Sequence, residues 1–161
     1  MSAELLFASM EKLCKLHKSL YELAVNKTDI IKTGDMDALN QLLKDEQSHI
    51  AAIDQMEKER QKAAKALAPH IDQPTVKDCM DHLSTAEQDK ITDIANELIQ
   101  QVLHLKEQNN LNQQLIHNSL QFVNVSMNLL RPQPENMNYG PPKKTKKTSE
   151  KSAQGMFNSK A

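Results

Sequence analysis

Two short stretches invite a metal ion. Cys14-Lys15-Leu16-His17 and Cys79-Met80-Asp81-His82 share the spacing C-x2-H. Brought together, two such pairs would supply the thiolates and imidazoles of a tetrahedral zinc site. The helical pattern argues against this. On the heptad of the first helix, Cys14 and His17 fall at outer and flanking positions, and the second pair lies where the sequence defines structure least. No metal site is expected. His49, His70, His104 and His117 have no nearby Cys or repeated carboxylate spacing and read as exposed or flanking side chains. Catalysis lacks its glycines: with 3 Gly in the chain, G-x-x-x-x-G-K-S/T, G-x-G-x-x-G and G-x-S-x-G are all absent. Neither an enzyme nor a cofactor is expected.

The elements that would have to position any chemistry are helices. The 161 residues are 39% apolar and 25% charged with a net charge of -1, which suits one soluble domain. Aromatics make up only 3% and Trp is absent, so the residues that favour sheets are scarce. All six Pro lie at or beyond Pro69, and the only Gly before Gly140 is Gly34, which leaves two long stretches free of helix breakers. No run of 18 apolar residues occurs, and the start MSAELLFASMEKLCK has no basic-then-apolar leader pattern. A cytoplasmic protein with two reduced cysteines is expected.

Charge divides the chain. Residues 1 to 142 hold 14 Lys/Arg and 20 Asp/Glu, whereas residues 143 to 161 hold 6 Lys and Glu150 alone. The end PPKKTKKTSEKSAQGMFNSKA has too little apolar surface to offset the entropy of ordering, so residues 132 to 161 are expected to form a flexible Pro/Lys-rich tail behind a helical domain of residues 1 to 131. The KKTKK cluster could touch a polyanion, but Phe157 is its only stacking aromatic and the body it hangs from is acidic; a solubilising tail without nucleic-acid binding is the reading.

The first helix shows a seven-residue repeat, with Leu6, Leu13 and Leu20 on one line and Leu16, Leu23 and Ile30 on another, the pattern of a coiled-coil seam. Thr33-Gly34-Asp35 closes it and opens the next helix, Gly as a left-handed cap and Asp35 as an N-cap. That second helix is expected from about residue 36 to residue 68, with Met36, Leu39, Leu43, Ile50, Ile53, Ala64 and Leu67 inward, stopped by Pro69. Pro74 and Thr75 open a short helix over VKDCMDHL, or one that merges with the last helix. Ser84 and Glu87 form a capping-box pattern for that last helix, from near Thr85 to Arg131. The fold class is an all-α elongated antiparallel bundle or coiled coil of three long helices and one short helix.

The last helix outreaches the others. At ~1.5 Å per residue the first two span roughly 45 Å and the last about 70 Å. The unmatched part holds Leu115, Ile116, Leu120, Phe122, Val123, Met127 and Leu130, a candidate face for a partner helix. Two alternatives stand beside it: residues 75 to 83, or a bend in the helix, cover the strip internally, or a second copy does. Asn109 and Asn112, one turn apart, either bond across the bundle and fix its register or belong to a solvated patch with Gln108, Asn110, Gln113 and Gln114. Of the methionines only Met127 is assigned to an adaptable contact.

Three segments resemble the FlgN-type flagellar export chaperones, most similar to those of Bacillus-like bacteria. They are KTGDMDALNQLLKDEQ (residues 32 to 47), KEQNNLNQQLI (residues 106 to 116) with Asn109 and Asn112, and Asn138-Tyr139-Gly140. Together they span the chain up to Tyr139. The resemblance implies a cytoplasmic chaperone, monomeric or weakly dimeric, that binds the terminal amphipathic helices of the hook-filament junction proteins FlgK and FlgL. Such a chaperone prevents their premature assembly and delivers them to the export gate. It further implies client contacts on residues 115 to 130, and docking of Tyr139 on the cytoplasmic domain of the export-gate membrane protein. The chain departs from the pattern in the prolines around Tyr139, Pro132, Pro134, Pro141 and Pro142, and in the Lys-rich end. A second function class is a structural homo-oligomeric coiled coil whose strip pairs with its own copies and whose basic tail binds a polyanion.

Overall fold

A computed structural model describes residues 2 to 131. The elements in order are α1 (Ser2–Thr33), α2 (Met36–Leu67), α3 (Val76–Cys79) continued by a 3-10 turn (Met80–His82), and α4 (Thr85–Leu130). The described chain is all helical, three long helices and one short, as the repeat pattern requires.

Local chemistry fixes each boundary. Gly34 has φ 72, and a Cβ there would meet nothing within 4 Å, so glycine is required by the backbone conformation and not by space. Asp35 accepts a hydrogen bond from the amide of Ala38 at 3.0 Å and caps α2. Thr75 with Asp78, and Ser84 with Glu87, form reciprocal capping boxes that start α3 and α4.

α1 is the helix against which both others pack; close backbone approach between α2 and α4 is almost absent among the described residues. Toward α2 it runs antiparallel, with Ser19 against His49 and Lys27 against Glu46. Toward α4 it runs parallel: Glu11 pairs with Lys90, Cys14 with the Ile94 carbonyl, and Thr28 with Asn112. A buried core cluster lies at the end where α1 begins, joining Leu6, Phe7, Met10 and Cys14 to Ala63 and Ala64 of α2, Cys79, Leu83, and Ile91 and Ile94 of α4. Residues 75 to 83 are thus packed at this base, with Cys79 fully buried.

Two sequence expectations change. Cys14 is buried and not at an outer position, because α1 carries two seams and the second faces α4. On α2, Met36, Leu43 and Ile50 are exposed while Leu42 and Ala63 are buried; Ala64 is buried as expected, and Leu39, Ile53 and Leu67 are half-buried. The line of α2 that meets α1 contains Glu46 and His49, polar residues matched by partners on α1, so an apolar count pointed to a neighbouring line.

The burial contrast is measurable by chemical denaturation. Leu13, 2% exposed, should lose about 2–5 kcal/mol of stability as Leu13→Ala, whereas Leu129→Ala should stay within about 0.5 kcal/mol. The capping boxes give a pH signature. Hydrogen bonds from the backbone amide and hydroxyl of Ser84 hold the Glu87 carboxyl below its ordinary range, and the Thr75 hydroxyl and amide do the same for Asp78. A depressed folded value means the stabilisation is present above the ordinary carboxylate pKa of ~4 and disappears as pH falls through the lower folded value. In Asp78→Asn/Glu87→Gln the thermal midpoint should therefore decline less between pH ~5 and ~3 than in the parent chain.

Candidate functional site

The parallel pairing of α1 and α4 sets where α4 loses its cover. Contacts between Cys14 and Ile94 and between Thr28 and Asn112 are separated by 80 and 84 positions in sequence. Carried to Thr33 at constant helical rise, this places the end of α1 level with roughly residues 113 to 117 of α4. Met36 starts α2 from the same end of the hairpin. With 46 residues in α4 against 32 in each of α1 and α2, a segment of about 20 Å projects past the hairpin.

The projecting segment is apolar and open. Phe122 is 73% exposed, Leu129 80% and Leu130 79%; Ile116, Leu120, Val123 and Met127 are also exposed, and Leu115 is half-buried. All the strip residues expected from the sequence therefore fall at or beyond the last cover from α1. The short α3 lies at the opposite end of the bundle and does not reach them. Val125 and Leu129 are equally exposed and were not among the strip residues; a second heptad line, Leu111, Leu115, Asn118, Phe122, Val125 and Leu129, would have found both.

Just below the projection, three helices line a cleft. Leu20 and Lys27 of α1, Glu46 and Ile50 of α2, and Asn109, Asn112, Gln113 and Ile116 of α4 surround it. Lys27 donates to Glu46 at 3.0 Å, joining α1 to α2. On the α4 side stands a closed polar node. Asn112, 2% exposed, donates to the Ala24 carbonyl at 2.8 Å, accepts from the Thr28 hydroxyl, and Thr28 in turn accepts from the Gln108 amide. Among the described residues no buried side-chain polar atom lacks a partner. The cross-bundle bonds are thus made by Asn112 and Gln108, while Asn109 is exposed on the wall of the cleft.

The two cysteines that suggested chemistry both sit in the base cluster, but their thiols turn to different backbone carbonyls. The Cys14 thiol points to the Ile94 carbonyl at 3.6 Å and the Cys79 thiol to the Ala64 carbonyl at 3.7 Å. Burial pushes both thiols up from their ordinary value, Glu97 and Glu11 adding to it for Cys14 and Asp78 for Cys79, the environment of structural and not reactive cysteines. Among the described residues no three His, Cys, Asp or Glu side chains gather as metal ligands. His49 donates from Nδ1 to the Asp45 carbonyl and accepts the Ser19 hydroxyl at Nε2, each at 2.8 Å, and so tethers α2 to α1. Among the described residues no helix is long and apolar enough to cross a membrane. Tyr139 and the Lys-rich segment lie outside the described residues.

The node has a testable weight. Asn112→Ala takes from the Thr28 hydroxyl its acceptor and from the Ala24 carbonyl its donor across the bundle, and should cost about 1–3 kcal/mol in denaturant unfolding; Asn109→Ala, on the exposed side, should change stability by less than about 0.5 kcal/mol.

Against known proteins, the family described as "FlgN protein" matches residues 1–147. The uncharacterized protein YvyG of Bacillus subtilis (strain 168) is 33% identical over 139 residues, covering 86% of this chain and 87% of that protein. No solved structure matches. The chain belongs to the FlgN family of flagellar chaperones.

Proposed function

We propose that this FlgN-family chain is a cytoplasmic export chaperone whose projecting α4 receives the terminal amphipathic helices of the hook-filament junction proteins FlgK and FlgL. By holding them it keeps these helices from assembling early and carries them to the export gate. The observation that supports this reading is the apolar strip of α4 beyond the end of α1, left open while Leu6, Phe7, Met10, Leu83, Ile91 and Ile94 are buried at the other end. Client helices laid on Leu115, Ile116, Leu120, Phe122, Val123, Met127 and Leu130 would bury apolar area at roughly 25 cal/mol per Å². That is the mode by which an amphipathic helix seats in a groove.

The client would be chosen without charge. From residue 108 to residue 130 the helix carries no Asp, Glu, Lys or Arg, so shape and neutral hydrogen bonding are its means of selection. Transfer to the cytoplasmic domain of the export-gate membrane protein is assigned to Tyr139 by the family's Tyr-Gly element. Nothing in the role asks for catalysis.

Size exclusion with light scattering on the purified chain and its cognate FlgK or FlgL should give a one-to-one complex. Phe122→Asp/Val123→Asp should remove that complex while circular dichroism keeps the helical signal of the parent. Collapse of helicity in this variant would mean that the strip is core; a tight homo-oligomer that binds neither protein would favour the self-assembling coiled coil.

A further inference from the structure

The exposed apolar residues of α4 do not form one stripe. At about 100° per residue, Ile116, Leu120, Val123, Met127 and Leu130 follow one heptad line. Leu111, Leu115, Phe122, Val125 and Leu129 follow another, centred about 140° away around the helix. Both are open: Leu120, Val123 and Met127 on the first are matched by Phe122, Val125 and Leu129 on the second. Between them run only Ser119 and Ser126, and the Ser119 hydroxyl is turned onto the Leu115 carbonyl of its own helix at 2.8 Å. The remaining side is an amide face, with Asn110, Gln114, Gln121, Asn124 and Asn128.

We propose that the projecting half of α4 is the middle helix of a three-helix layer, and that its partner supplies two amphipathic helices at once, one to each flank. This rests on the chaperone reading above and specifies its client. One neighbouring helix covers an apolar arc of about 100°, less than the span of the two lines. Four or five aliphatic side chains on one flank also offer roughly half of the ~800 Å² per partner of a standard specific interface, whereas the two flanks together approach it. The chain already builds this geometry once, in α1, which packs α2 on one side and α4 on the other.

The flanks differ at their bundle ends, which favours two unlike helices over two identical ones. The first line leads from Leu120 through Ile116 into the cleft between α2 and α4, where Ile50 and Leu20 continue the apolar surface. Met36 and Leu43, exposed at the same end of α2, extend that wall along a heptad with Ile50. The second line stops at Leu111, one turn above Glu107. A helix on the first flank can therefore run on into the bundle, and a helix on the second cannot.

Titration calorimetry on the full chain tests the two flanks separately, with the intact cognate FlgK or FlgL as the probe. Leu120→Asp/Val123→Asp on the first flank and Phe122→Asp/Val125→Asp on the second should each weaken binding at least tenfold, while Gln121→Asp on the amide face stays within twofold. The alanine pairs at the same positions, which keep helix propensity, should show the same order with smaller losses. A flank whose Asp and Ala pairs both bind within twofold of the parent overturns the two-helix arrangement and leaves the chaperone reading standing. A parent chain that binds neither protein overturns both. Loss of a homodimer in one flank variant, with client affinity unchanged, gives that flank to a second copy and overturns the proposal.

Discussion

Two helices of equal length and a third half as long again are clamped at one end. Leu6, Met10, Ala64, Cys79, Leu83 and Ile91 fix the base, where all the helices and the α3 segment meet. Because α1 and α4 run parallel from that base, no compensation is possible at the near end. All the excess length of α4 appears at the far end, on a segment that neither α1 nor α2 is long enough to accompany. Had the same cluster formed midway along the bundle, the excess would have been shared between two ends and neither would have carried a strip of useful length.

Polar groups hold the upper half where the apolar core thins out. The node of Asn112, Thr28, Gln108 and the Ala24 carbonyl, the His49 tether to Ser19, and the Lys27–Glu46 pair all lie between the base and the hairpin. Such bonds add modest net stability but tolerate only one register, since slipping a turn would leave buried donors and acceptors unmatched. The register they fix is what places the end of α1 level with the start of the exposed strip. The base supplies most of the burial, and the node supplies the alignment.

The lack of charge over residues 108 to 130 is the other half of the arrangement. A charged helix that long would stay solvated and repel or attract partners over a Debye length of ~10 Å; this one presents apolar lines and neutral amides. On the function proposed above, recognition there would depend on close packing, which is demanding in shape and readily reversed. That chemistry suits membership of a chaperone family, and it accounts for an apolar surface that a permanently assembled protein would keep covered.

Much of the fold is legible in the residues alone, because it rests on local rules. Gly34, Asp35, Thr75, Ser84 and Glu87 mark the helix ends through backbone conformation and capping, which act within four residues. The length mismatch and the apolar line from Ile116 to Leu130 come from counting. What the sequence leaves open is which way each helix turns its face. Cys14 looks peripheral until α1 is seen to carry two seams, and Leu42 rather than Leu43 is buried because Glu46 and His49, matched on α1, take positions that a hydrophobic pattern assigns to solvent. Rotation about a helix axis depends on partners far apart in the chain, and so do the parallel register of α1 with α4 and the side on which the strip emerges. Those were settled only when the tertiary structure brought residues 80 and more positions apart into contact.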